Sequence, residues 1–260
     1  MALILAAAEQ VVAAEFIAKD RASLEALKSA NLLKSIDINA LIVGDTGVGK
    51  KTLANYIINA PIIDGGDDIE SIIKSLQQNR KLIIKNFDKI KHIDIFETEL
   101  NSSKTRIIAT ASRDIYNPLS DKFFSLKINL PPLSERKRDV YVLSKKFLKE
   151  VEDVFDIKSS VDLKRCKIDL SRNCYSLRES IYKEVIKRLL RENDIMSVME
   201  EILKSRLGSK DDYRKNLYLY EIPLINAGKS MFKSQLKMAE EFGINRNTLR
   251  KKINEYKIKI

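Results

Sequence analysis

The run Gly44-Asp45-Thr46-Gly47-Val48-Gly49-Lys50-Lys51-Thr52 has the residue types and spacing to hold a phosphate. Its glycines let the backbone turn N–H groups inward at the start of a helix, where an anion is favoured, and Lys50 can reach the β- and γ-phosphates of ATP or ADP. The pattern is G-x-x-x-x-G-K with one departure. Lys51 stands where the full motif places a hydroxyl on Mg²⁺, and Thr52 lies about 100° further round the helix, so Mg²⁺ would be poorly held. A second group lies near the C-terminus, where Leu236, Ala239 and Phe242 are expected inward on one helix and Gly243 supplies a turn. Asn245 then caps a second helix whose Leu249 and Ile253 face the core. That arrangement leaves Asn245, Arg246, Asn247, Thr248, Arg250 and Lys251 outward, able to meet the bases and phosphates of double-stranded DNA.

Positioning these groups requires an α/β architecture. Ala40–Val43 reads as a buried strand and the residues from Leu53 as an amphipathic helix; Lys81–Lys85, Thr105–Thr110 and Leu126–Leu130 read as further strands, alternating with helices as in a parallel sheet. Pro61–Gly66 reads as a short extended piece with a turn. Upstream, Met1–Lys19 and Ser23–Leu33 read as helices, the second with Leu24, Leu27 and Leu32 on one face. Pro131-Pro132 ends the sheet. Beyond it the pattern is helical, with Ser134 as N-cap and Val140, Leu143, Phe147, Val151 and Val154 on one face. The expected organisation is N-terminal helices over 1–34, an α/β core over 35–133, a helical lid over 134–208 and a DNA-binding unit over 209–260, with 208–212 as the linker.

At 260 residues and 44% hydrophobic content the chain can bury sizeable cores. A net charge of +11 fits a polyanionic partner, and from Lys229 to Ile260 nine cations face three anions. Two cysteines without metal-type spacing point to free thiols in the cytoplasm, and the single His92, placed on a surface loop, leaves no room for a His-based triad or metal site. No stretch is apolar and long enough to span a bilayer. In a phosphate-loop ATPase the strand Lys81–Lys85 should end in acids that hold Mg²⁺ and polarise water. It ends instead in Lys85-Asn86, with Asp88, Asp94 and Glu97 expected as solvated loop carboxylates.

Together these segments resemble the bacterial enhancer-binding proteins, the sigma-54-dependent activators, in a shortened and degenerate form. Leu130-Pro131-Pro132-Leu133-Ser134-Glu135-Arg136-Lys137-Arg138-Asp139-Val140 is similar to the L-P-P-L-R-E-R-x-x-D-I segment between that family's AAA+ core and lid. Ile108–Asp114 resembles its sensor-1 stretch and Ser176-Leu177-Arg178-Glu179 its sensor-2 N-V-R-E. Gly243–Lys252 resembles the helix-turn-helix of factor-for-inversion-stimulation type that ends these activators. The resemblance implies an AAA+ domain that binds ATP or ADP, with Arg178 reaching the nucleotide, and a regulator that works as a homodimer or higher oligomer. It also implies contact with RNA polymerase or with a full-length activator. The departures matter equally. The family's Walker B Asp-Glu falls on Lys85-Asn86 and its sensor-1 Asn on Ser112. Only 29 residues (53–81) separate Thr52 from Leu82, leaving no counterpart of the loop that grips sigma-54, and Asp121–Ser125 holds no arginine finger. The expected function is a sequence-specific DNA-binding transcription regulator with weak or absent hydrolysis; the alternatives are a working ATP-dependent activator and an adaptor that modulates full-length activators.

Overall fold

A computed structural model describes residues 16–112, 118–158 and 161–258. The chain separates into two compact units, Met1–Leu189 and Leu190–Ile260. The first contains α1 (Arg21–Ser35), β1 (Ala40–Gly44), α2 (Lys50–Ile57), β2 (Ile62–Asp64), α3 (Ile69–Gln78), β3 (Lys81–Lys85), α4 (Ile93–Ser103), β4 (Arg106–Ala111), α5 (Pro118–Phe123), β5 (Leu126–Leu130), α6 (Lys137–Phe155) and α7 (Cys174–Leu189). The second contains α8 (Glu192–Lys204), α9 (Asp212–Asn216), α10 (Tyr218–Met231), α11 (Gln235–Glu241) and α12 (Arg246–Glu255).

The five strands form one parallel sheet in the order β2-β3-β4-β1-β5, with Ala40 opposite Ile108 on one side and Leu126 on the other. The extended piece at Pro61 is thus the edge strand. Successive strand side chains point to opposite faces, so near-continuous apolar runs feed two cores at once. Ala40, Ile42, Ile83, Ile108 and Ile128 pack with Ala30 and Leu33 of α1 and Leu53 and Ile57 of α2 on one face. Leu41, Leu82, Ile84, Ile107 and Ala109 pack with Ile72 and Leu76 of α3 and Phe96 and Leu100 of α4 on the other. Each such large aliphatic side chain contributes about 1.5–3 kcal/mol by leaving water. A third cluster joins α6 to α7 through Val140, Val151, Leu177, Ile181 and Val185.

Several expectations change. On α1 the buried residues are Ser23, Ala26, Ala30 and Leu33, while Leu24 and Leu32 are exposed. Small residues at that spacing let the helix lie close to the sheet, with Leu33 fully buried and the expected Leu27 packed half-buried beside them. Residues 16–19 are not helical: the Lys19 and Asp20 N–H groups donate to the Asp139 carboxylate at 2.5 and 3.0 Å instead of to helix carbonyls. The rest of the expected helix, Met1 onward, lies outside the described residues. Ser134 sits in a 3₁₀ turn (Leu133–Glu135), and α6 begins at Lys137. Its first N–H groups are met from outside the helix, Asp20 Oδ2 accepting from Arg138 at 2.7 Å and Asp139 at 3.2 Å. Val154 is half exposed and Phe155, one residue on, takes its place in the cluster. Asp94 and Glu97 lie on α4, Glu97 paired with Lys122, and Asp88 lies in a 3₁₀ turn with Oδ1 buried and unpartnered.

Compactness divides the chain after Leu189, so α8, expected within the lid, belongs to the second unit. That unit has its own core of Ile225, Met238, Ala239, Leu249 and Ile253. Met238 occupies the place expected for Leu236, which is 53% exposed, because α11 turns its 238/239 edge toward α10. Gly228 of α10 permits that approach: a Cβ there would lie 2.5 Å from Phe242 Cζ and 2.7 Å from Met238 Sδ. Glu221 of α10 ties α12 down, accepting from Lys252 Nζ at 2.5 Å and from Tyr256 Oη at 2.6 Å, with its carboxylate mostly buried. Glu221→Gln is expected to weaken this unit by about 1–2 kcal/mol, since it removes the charge that Lys252 was placed to meet. Chemical denaturation followed in the second unit checks it, and an unchanged midpoint would show that the cluster is only a surface contact.

Candidate functional site

β1, flanked by β4 and β5, ends at Gly44, and the chain leaves its carboxyl end, where open parallel sheets bind ligands. Residues 45–49 form the loop into α2, with Gly47 at φ 82° and Gly49 at φ 105°, both left-handed. A Cβ on Gly47 would also lie 2.5 Å from the Arg172 carbonyl oxygen, so glycine is required there for two reasons. Lys50 Nζ donates to the carbonyls of Gly44 (2.5 Å) and Asp45 (2.9 Å), which places it over the loop. Burial pushes the Lys50 ammonium below its usual range, and the nearby Asp45 and Asp88 carboxylates oppose that.

The loop floors a cleft of about 640 Å³, lined by Thr46, Gly47, Val48, Gly49, Lys50, Lys51 and Thr52. Lys85 and Asn86 from the end of β3, and Thr110 from β4, face it from the sheet side. Its far wall comes from Phe16 and Ile17, from Leu143, Lys146 and Phe147 of α6, and from Cys174 and Tyr175 at the start of α7. A polar loop at one end and aromatic and aliphatic groups at the other suit a ligand with a phosphate chain and an apolar ring.

Two buried polar residues hold the lid elements against the loop. Asn173 Oδ1 accepts from Leu133 N (2.7 Å), while its Nδ2 donates to the Thr46 carbonyl (2.9 Å) and the following Cys174 N donates to the Gly47 carbonyl (3.1 Å). Arg136, 2% exposed, donates through Nε to Asp139 Oδ2 (2.7 Å) and through Nη1 to the Val48 carbonyl (2.9 Å). The Phe16 ring lies 5.7 Å from its guanidinium carbon. Burial pushes the Cys174 thiol up to about 11, so it remains a packed thiol at neutral pH.

Of the expected site residues Thr46 through Thr52 line the cleft, while Gly44 and Asp45 do not and offer their carbonyls to Lys50; Arg178 is not brought there either. That side chain pairs with Glu150 of α6 and lies against the Tyr182 ring at 5.3 Å, and it does not line the cleft. The arginine that meets the loop is Arg136. Its motif was visible in the sequence, whereas Asn173, with φ 53°, carried no signal beyond being an Asn before a helix. At the end of β3, Asn86 Nδ2 donates to both Asp64 oxygens (2.9 and 3.0 Å), with Lys85 Nζ 3.4 Å from Asp64 Oδ2. Burial raises the Asp64 carboxyl, yet Asn86, Gly66 and Lys85 together hold it below the usual range. Among the described residues no group of three or more His, Cys, Asp or Glu is placed to hold a metal ion.

In the second unit, Ser234 accepts from Lys237 N (3.2 Å) to start α11, and Gly243 at φ 65° makes the turn. Asn245 Oδ1 accepts from Asn247 N (2.8 Å) to start α12. Leu249 and Ile253 are buried, and Asn245, Arg246, Asn247, Thr248, Arg250 and Lys251 are all exposed. On α8 no residue is buried, and Ile195, Met196, Val198 and Ile202 are exposed. Among the described residues no helix is long and apolar enough to cross a membrane.

No protein-family model matches the chain. Among curated proteins it is similar to a limonene hydroxylase of Geobacillus stearothermophilus, 25% identical over an alignment of 299 residues that takes in 89% of this chain and 54% of that protein. The chain thus spans about half the length of the relative it matches. Among solved structures it is similar to NtrX from Brucella abortus in complex with ADP, with a TM-score of 0.59 and 16% identity over 98% of this chain and 71% of that one. NtrX in complex with ATP gives a TM-score of 0.53 and 15% identity over 93% and 69%. The shared feature is the fold, an α/β architecture that in this chain is built on a parallel five-stranded sheet.

Proposed function

We propose that this protein is a DNA-binding transcription regulator whose AAA+ domain holds ATP or ADP without turning it over at an ordinary rate. The carrying observation is the outward face of α12. Six polar or basic residues in its first turns are solvent-exposed while Leu249 and Ile253 anchor the opposite side, the disposition of a recognition helix that enters the major groove by its N-terminal end. Asn247 and Arg250 would read base edges, and Arg246 or Lys251 a phosphate. Support for the nucleotide comes from the loop geometry around Gly47, Gly49 and Lys50 and from the solved NtrX complexes with ATP and ADP. The exposed apolar row on α8 supports pairing of two copies, which a palindromic operator would need. The hydroxylase activity in the relative's name stays with that protein at 25% identity.

The test is a binding titration of the full chain on selected and scrambled duplexes at several salt concentrations. Arg250→Ala is expected to cost about 1–3 kcal/mol and to relax sequence preference, whereas Lys251→Ala weakens all duplexes alike and lowers the salt slope by about one. If the chain binds neither duplex at low salt, or binds both equally with Arg250→Ala unchanged, the DNA-reading assignment fails.

A further inference from the structure

We propose that the cleft takes nucleoside triphosphate free of metal, with the Lys85 ammonium supplying the positive charge that a magnesium ion gives elsewhere. The inference rests on the nucleotide-binding reading and extends it to the form of the ligand. A phosphate-loop site ordinarily places the metal between the loop hydroxyl and a carboxylate from another strand of the sheet. Magnesium demands oxygen ligands and is usually held through one or two carboxylates besides the phosphates. Here the loop position is Lys51 and the strand ends in Lys85-Asn86.

Among the described residues the lining has one sign. Lys50, Lys51, Lys85, Arg136 and Lys146 face the cleft, and no Asp or Glu is among its described lining residues. Nearby acids are engaged or turned away. Asp139 is taken by Arg136, and Asp64 by Asn86 and Lys85. Asp45 and Asp88 act on the Lys50 ammonium without lining the cleft. A divalent cation entering with its nucleotide would therefore meet ammonium groups where its ligands should be. A triphosphate without its metal carries more negative charge and matches that lining better. The Lys85 side chain is 38% exposed and holds its Asp64 contact at 3.4 Å, so its Nζ can swing toward a phosphate while Asn86 keeps Asp64 satisfied.

The experiment is calorimetric titration of the full chain with ATP, at matched ionic strength, in EDTA and in excess MgCl₂. ATP is expected to bind at least about threefold more tightly in EDTA, and Lys85→Met to weaken the EDTA affinity by about tenfold, the size of one close charge contact at a partly exposed site. Lys85→Asp, which returns a carboxylate to the strand end, is expected to make binding depend on Mg²⁺. Binding by the unaltered chain only with Mg²⁺, or full EDTA affinity in a folded Lys85→Met, overturns the inference and leaves nucleotide binding standing. Absence of binding in both buffers overturns both. The comparison of buffers on the unaltered chain needs no variant to fold.

Discussion

Incubated with ATP and Mg²⁺, the chain is expected to release phosphate at least about a thousandfold more slowly than a typical enzyme turns over, whose median is roughly 10 per second. Phosphoryl transfer depends on groups that stabilise developing charge and position the attacking water, and an arginine finger alone is worth about 10³–10⁵. In this cleft Lys85 and Asn86 stand at the strand end where the Asp-Glu pair would act. Asp88, the nearest acid beyond them, sits in a 3₁₀ turn with one oxygen buried and does not line the cleft. Among the described lining residues there is no carboxylate to orient water at a phosphate. A phosphate-release assay on the full chain, with Lys50→Ala as the control for contaminating enzyme, decides it. Turnover near one per second that Lys50→Ala abolishes would falsify the assignment.

Arg136→Ala is expected to destabilise the first unit by about 3–5 kcal/mol, the usual consequence of removing one member of a buried ion pair. Asp139 is fully buried, and loss of the guanidinium leaves its carboxylate with only the backbone N–H groups of Lys19 and Asp20 as donors. The Val48 carbonyl in the phosphate loop loses its donor as well. At about 2–4 °C per kcal/mol for a unit of this size, thermal unfolding should begin roughly 10 °C earlier. The second unit should melt where it did before. A shift of less than about 2 °C would mean that water replaces the arginine without loss, and the pair would then be incidental to the fold.

The sheet and its order of elements were legible because Lys81–Lys85 holds a short apolar run, Leu126–Leu130 alternates apolar with polar residues, and the Gly44–Lys50 spacing fixes a strand, a loop and a helix at once. What escaped the sequence were choices made by tertiary contact. Ser134 has the chemistry of an N-cap, but Asp20, over a hundred positions away, does that work for α6. Leu24 and Leu236 have the hydrophobicity of core residues, but smaller or more pliable neighbours, Ala26 and Met238, sit on the faces that close packing selects. Arg178 sits in a familiar motif, yet Glu150 and Tyr182 claim it. Arg136 was in view inside a motif with no role attached, because nothing in the linear order shows that Val48 lies beside it.

The place of β1 between two later strands bears on how the chain is made. Its two neighbours are β4 and β5, so Ala40 must wait for Ile108 and then Leu126 before either edge is hydrogen-bonded. During synthesis, at roughly 5–20 residues per second, a strand as apolar as Leu41-Ile42-Val43 would remain unpaired for several seconds. Such pairings across long separations are slow and leave the nascent chain open to association with other chains. The α10–α12 cluster closes within about 40 positions and should form promptly once released. Refolding from denaturant should therefore show a fast phase from the second unit and a slower one, sensitive to protein concentration, from the sheet.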